Sequence, residues 1–221
     1  MLTRLCLIRH GETDWNVEHR VQGSIDIPLN ARGRQQAQAA AETLFSDAQQ
    51  NAFAAIYCSD LRRAHETASI IASRLNLPAI TDAHLRERNY GGLQGLTADE
   101  AEQRLPGVHP RNRGTRDPAL VPPGGESLQD FARTVQTGFT AIAQRHPGQS
   151  VLVVSHGGVL DVAYRLATAM PLGAARDFTL ANAALNWIGF DSAETNKDKA
   201  WQLLAWDQRA HLESSRDELR I

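Results

Sequence analysis

Four consecutive apolar residues, Leu5-Cys6-Leu7-Ile8, stop abruptly at Arg9-His10-Gly11. An unbroken apolar run of that length reads as a strand buried on both faces, as in a parallel sheet covered by helices. It delivers an arginine and a histidine to its carboxyl end, which in open α/β sheets is where ligands bind. Gly11 lets the backbone approach a bound group, Arg9 is a planar cation, and His10 can serve as nucleophile, base or donor. The same form recurs at Ser150-Val151-Leu152-Val153-Val154-Ser155-His156-Gly157-Gly158, followed by helical spacing through Val159, Val162, Ala163 and Leu166. If the two strands are parallel neighbours, His10 and His156 face one crevice.

The 221 residues are enough for one domain spanning 1–221, and the composition is that of an ordinary globular protein: 42% hydrophobic, 22% charged, net charge −2. Such a balance gives no reason to expect nucleic acid or an anionic membrane as a partner. No apolar run reaches bilayer length, and the N-terminus leads straight into the first strand without the features of a signal peptide, so the expectation is a cytoplasmic protein. Cys6 and Cys58 lie inside apolar strand patterns without metal or redox spacing and read as small buried residues.

Along the chain, a polar loop from Val17 to Asn30 precedes a helix whose face is Ala37, Ala40, Ala41, Leu44 and Phe45, with Asn30 as its N-cap. Ala54 to Ser59 reads as a second strand, and Asp60 opens a helix running to about Leu75. Arg62 falls in its first turn, where the helix dipole disfavours a cation, so its presence asks for a compensating anion. Arg63 reads as solvated or paired with Glu66 or Thr67. Pro78 to Thr81 is a short third strand, leading to Leu85-Arg86-Glu87. From about 88 to 125 the periodicity weakens under five prolines; a short helix near Thr97 to Leu105 and a long loop suggest a lid-like insertion. Glu126 and Ser127 open another helix, to about Gln144. Leu185 to Phe190 and Trp201 to Trp206 read as a hairpin at the edge of a mixed sheet, followed by a charged tail.

Arg9, His10, Arg62, Glu87 and His156 therefore gather at strand ends, a concentrated positive site in a slightly acidic protein. Guanidinium forks match phosphate oxygens. The arginines and one histidine can stabilise the equatorial oxygens of a transferring phosphoryl group, while the other histidine attacks phosphorus, held unprotonated by the flanking arginines. Glu87 can protonate the leaving alcohol and then deprotonate water. No metal is needed in this scheme. His19, His65, His84, His109, His146 and His211 share no ligand spacing and read as surface or packing residues.

Arg9-His10-Gly11-Glu12-Thr13, together with Ser59-Asp60-Leu61-Arg62-Arg63-Ala64, Leu85-Arg86-Glu87, Pro123-Gly124-Gly125-Glu126-Ser127 and Ser155-His156-Gly157-Gly158, resembles the histidine phosphatase superfamily. The similar branch is that of the cofactor-dependent phosphoglycerate mutases and the broad-specificity and α-ribazole phosphatases. The resemblance implies a three-layer α/β/α fold around a mixed, mostly parallel sheet. It further implies that His10 is the phosphorylated nucleophile, Glu87 the proton donor, and Arg9, Arg62 and His156 the phosphoryl holders. Asn16, Gln22, Gly23 and Gly157 would line the pocket, with Tyr90 as a further substrate contact.

Members of this branch give the phosphoryl group either to water or back to a sugar acid. A mutase needs a second cationic patch, in the family a lysine soon after a Leu-Gln-Gly segment. Here Leu93-Gln94-Gly95 is followed by Leu96-Thr97-Ala98-Asp99-Glu100, with two acids and no lysine; Arg111, Arg113 and Arg116 are spaced apart. The expectation is a phosphomonoester hydrolase acting on a small phosphorylated metabolite without a cofactor, 2,3-bisphosphoglycerate being required only in the alternative, a mutase. A non-catalytic phospho-ligand binder would not need Glu87. Exposed edge strands are compatible with a homodimer.

Overall fold

The computed structural model describes residues 1–48, 52–108, 117–196 and 200–212. Among them, six strands form one sheet in the order β3-β2-β4-β1-β5-β6: β1 (Leu2–Arg9), β2 (Phe53–Cys58), β3 (Ala79–Thr81), β4 (Ser150–Ser155), β5 (Leu185–Asp191) and β6 (Trp201–Gln208). The pairs β1–β4, β2–β4 and β2–β3 are parallel, and β1–β5 and β5–β6 antiparallel. The two strands that end in His-Gly are neighbours, with Arg9 opposite Ser155.

Period-2 geometry sends alternate residues of the apolar runs to opposite faces. Leu5, Leu7, Val151 and Val153 join one core with Phe131, Val135, Phe139 and Ile142 of α5 (Leu128–Arg145) and Val159, Leu160 and Ala163 of α6 (Gly157–Thr168). Cys6, Ile8, Leu152 and Val154 join the other, with Ala40, Ala41 and Leu44 of α2 (Ala31–Ala48) and Ala64, Ala68 and Ile71 of α3 (Arg62–Leu75). This is the expected three-layer arrangement. Burying one such aliphatic side chain contributes about 1.5–3 kcal/mol, so the runs that define the strands also hold the helices against them. Both cysteines are buried in this frame, and burial pushes the Cys58 thiol up to about 12.

Helix starts follow the cap residues. Asn30 Oδ1 accepts from the Gly33 N–H at 2.8 Å, and Ser127 Oγ from the Asp130 N–H at 2.9 Å. The short α1 (Asp14–Val17) and α4 (Ala98–Arg104) carry capping boxes, Thr13 with Asn16 and Thr97 with Glu100. The stretch expected as a lid is tied to the 17–30 loop by Val21 N–H to Leu96 O (3.0 Å) and Gly95 N–H to Val21 O (2.8 Å). Leu93, Leu96 and Ala101 form a small core of their own there, with Val21 and Tyr90 against it. Arg111, Arg113 and Arg116, His109, and the tail beyond 212 lie outside the described residues. No helix among the described residues is long and apolar enough to cross a membrane.

Candidate active site

Parallel β1 and β4 bring His10 and His156 to the same sheet edge, with ring centroids 5.2 Å apart. The His10 N–H donates to Ser155 O at 2.9 Å, which continues the β1–β4 ladder one residue past the strand. His10 Nδ1 lies 2.7 Å from the Gly11 carbonyl oxygen. A carbonyl only accepts, so this nitrogen carries the proton, and the lone pair of the neutral ring is on Nε2. Burial holds the His10 imidazole well below its ordinary pKa, and the guanidinia of Arg63 and Arg9 add to the effect. His156 is fully buried and is depressed for the same reasons, with burial first and Arg63 next. Neither ring nitrogen of His156 has a hydrogen-bond partner, an arrangement that suits a ligand oxygen better than a packed core.

The cavity at this edge is lined by Arg9, His10, Trp15, Asn16, Gln22, Gly23, Arg63, Glu87, Tyr90 and Gly157, among others. All the pocket residues implied by the resemblance, Asn16, Gln22, Gly23, Tyr90 and Gly157, are brought together there. Asn16 also closes the α1 capping box through Oδ1, 3.0 Å from the Thr13 N–H. His156 stands beside His10 at the same end of the sheet.

Arg62 is the exception. It is exposed, and its role in the constellation passes to Arg63, which is fully buried on the cavity wall. The reason is helical phase: the inward stripe of α3 is Arg63, Ala64, Thr67, Ala68, Ile71 and Ala72, and residue 62 lies off it. Arg63 donates to Ile25 O (2.7 Å) and Gly23 O (2.6 Å), so it also pins the loop that carries Gln22. It does not pair with Glu66, whose carboxylate accepts from Arg34 Nε at 2.6 Å. The anion that the start of α3 asks for is Asp26, whose Oδ1 accepts from the Arg62 N–H at 2.7 Å. Burial lowers the Arg63 pKa to about 10, which leaves it cationic at neutral pH.

Glu87 is partly buried across the cavity. Its Oε2 accepts from the Gly158 N–H at the start of α6 (2.9 Å) and its Oε1 from its neighbour Arg88 N–H (2.8 Å). Burial raises its pKa, and those two N–H groups together with Arg63 and Arg9 oppose the rise only in part. A Cβ at Gly158 would lie 2.2 Å from Glu87 Oε1, so glycine there makes room for the carboxyl group. Ser155 Oγ donates to Leu85 O at 2.7 Å and ties the Glu87 segment to β4.

Antiparallel β5 adds a wall that strand carboxyl ends alone do not indicate. The chain entering it supplies Arg176 and Leu180 to the cavity; Arg9 Nη1 donates to Leu180 O at 2.7 Å, and Asn182 Nδ2 to His10 O at 2.8 Å. On the lid side, Arg20 lines the cavity but is paired with Glu100 (2.5 Å) and Glu18 (2.8 Å), and Arg88 donates to Glu126 O (2.7 Å). No group of three or more histidine, cysteine, aspartate or glutamate side chains among the described residues could hold a metal ion.

Two imidazoles beside two guanidinia, with a carboxyl group opposite, on the edge of an open α/β sheet, make a site suited to phosphoryl transfer. Residues 5–204 match the model of the histidine phosphatase superfamily (branch 1), and the chain belongs to that family. It is 37% identical to phosphoglycerate mutase-like protein 4 of Arabidopsis thaliana over 213 residues, which cover 96% of this chain and 87% of that one. It is 35% identical to the metal-independent phosphoserine phosphatase of the same plant, covering 96% of this chain and 84% of that one. The solved structure of Bacillus stearothermophilus YhfR superposes with a TM-score of 0.82 at 32% identity, covering 96% of this chain and all of that one.

Proposed function

We propose that the protein is a phosphomonoester hydrolase that works through a phosphohistidine on His10. The observation that carries this reading is the His10 ring itself: Nδ1 is bonded to Gly11 O, Nε2 holds the lone pair, and Arg9 and Arg63 flank it. A small phosphorylated metabolite enters with its phosphoryl oxygens among Arg9, Arg63 and His156. Nε2 attacks phosphorus, and the bond to the leaving oxygen breaks as Glu87 gives that oxygen its proton. Glu87, now a carboxylate, takes a proton from water, the hydroxide attacks phosphorus, and inorganic phosphate leaves with His10 regenerated. The fixed donors stabilise charge on the equatorial oxygens throughout, so the residues of the chain suffice without a metal or a dissociable cofactor.

Hydrolysis is favoured over mutase chemistry by the state of Arg20. A bisphosphorylated intermediate would need a second cationic patch, and Glu18 and Glu100 already neutralise this arginine. With chelator present, the protein is expected to release inorganic phosphate from p-nitrophenyl phosphate or 3-phosphoglycerate. Conversion of 3- to 2-phosphoglycerate that depends on 2,3-bisphosphoglycerate, with little phosphate released, would overturn the hydrolase reading.

The proton donor makes a second expectation specific. Glu87→Gln should cost about 10²–10⁴-fold in kcat/KM, which reports phosphorylation of His10, on an alkyl phosphate, whose alkoxide leaves poorly, and far less on p-nitrophenyl phosphate, whose phenolate leaves unaided. The acid form of Glu87 is the active one, and burial has raised its pKa. The wild-type rate on the alkyl ester therefore falls as pH rises through that value, whereas depressed His10 stays neutral and nucleophilic. Equal losses in kcat/KM on both substrates would remove Glu87 from the role of acid.

A further inference from the structure

The loop that follows the nucleophile has its backbone donors held by side chains from other elements. The Glu12 N–H donates to Gln36 Oε1 of α2 at 2.8 Å, and the Thr13 N–H to Asn16 Oδ1 at 3.0 Å. The Gly11 N–H, one residue past His10, donates to Thr67 Oγ1 at 3.1 Å. Thr67 is fully buried on α3, one helical turn beyond Arg63, and its hydroxyl donates to Arg63 O at 2.8 Å.

One hydroxyl is thus acceptor to the segment that carries the nucleophile and donor to the residue that carries the phosphate-facing guanidinium. Gly11 also packs closely on α2, where a Cβ added to it would meet Gly33 O at 2.3 Å.

We infer that Thr67 is a positioning residue: its hydroxyl fixes the His10 segment against the first turn of α3, and so sets how Arg63 lies relative to the attacking ring. This inference rests on the phosphohistidine reading. Near-attack geometry is sensitive to small displacements, and a shift of about 1 Å far from the reacting atoms can cost about 10²-fold. A hydroxyl that sets the spacing of nucleophile and phosphate-binding cation therefore acts on both catalysis and anion binding, although it touches neither substrate nor phosphate.

Thr67→Val keeps the volume and deletes both bonds; Thr67→Ser keeps the hydroxyl. The test measures kcat and KM on p-nitrophenyl phosphate, inorganic phosphate binding by calorimetry, and thermal melting for Thr67→Val, Thr67→Ser, Arg63→Ala and the double variant Arg63→Ala/Thr67→Val. Expected are a loss of about 10- to 100-fold in kcat/KM for Thr67→Val with the cooperative melt retained, and recovery to within about threefold for Thr67→Ser. The valine effect should also be largely absent in the Arg63→Ala background, in turnover and in phosphate affinity alike. Should valine fail to fold, Thr67→Ala in the same cycle gives the same comparison. Wild-type turnover from Thr67→Val, or effects of Thr67 and Arg63 that simply multiply, would overturn the inference. A wild-type protein without phosphatase activity would overturn the functional reading instead; the phosphate-binding cycle would then still decide whether Thr67 acts through Arg63.

Discussion

His10→Ala is expected to reduce turnover of any phosphomonoester by about 10⁴-fold or more while inorganic phosphate still binds within about tenfold of wild type. The first part follows because the lone pair on His10 Nε2, flanked by Arg9 and Arg63, is the attacking one: His156, in ring contact with His10, holds phosphoryl oxygens in this reading, and His19, also on the cavity wall, is exposed. Losses of this size accompany removal of the nucleophile in a concerted constellation, since the remaining groups can only bind and polarise. The second part follows because the cations that hold the anion, Arg9 and Arg63, are anchored to the protein and not to His10. Arg9 donates to Leu180 O, and Arg63 to Gly23 O and Ile25 O. Steady-state kinetics with calorimetric phosphate titration checks both. A variant that neither turns over nor binds phosphate would mean that His10 chiefly holds the site together.

Arg63→Ala is expected to lower kcat/KM by about 10³-fold, and Arg62→Ala to leave it within about twofold. A fixed donor to the developing charge is worth about 10²–10³-fold in comparable sites. Arg63 also keeps the 17–30 loop in place, and its loss leaves the carbonyls of Gly23 and Ile25 without their donor. Arg62 is exposed, and its described bond is made by its backbone N–H to Asp26, which an alanine retains. Parallel kinetics on the two variants separates them, and the reverse ranking would contradict the structure's assignment of the inward face of α3.

That pair of residues also shows what the chain states in one dimension and what it leaves to three. The two apolar runs ending in His-Gly announced the parallel strands, their carboxyl edge and the histidine pair, because a strand buried on both faces has few other places to be. Choosing between Arg62 and Arg63 needed the phase of α3. The signal was present, since Ala64, Thr67, Ala68 and Ile71 mark the inward stripe that puts 63 inside, whereas the dipole argument applied to both residues alike. Arg176, Leu180 and Asn182 carry no such signal in the sequence. They reach the site from the amino end of an antiparallel strand, and only the β1–β5 pairing, with Ile8 opposite Leu185, places that end beside His10. Glu100 is one of the two acids that follow Leu93-Gln94-Gly95; its pairing with Arg20, a residue 80 positions earlier in the chain, depends on how α4 packs over the 17–30 loop.

Rapid acid-free quenching of the enzyme during turnover, followed by mass spectrometry of its peptides, tests the central claim most directly. The account predicts one phosphoryl group on His10, acid-labile and stable in alkali, formed in wild type and accumulating in Glu87→Gln with p-nitrophenyl phosphate, where activation of water is impaired. Turnover with no phosphoenzyme at His10, or a phosphoryl group carried by another residue, would contradict it.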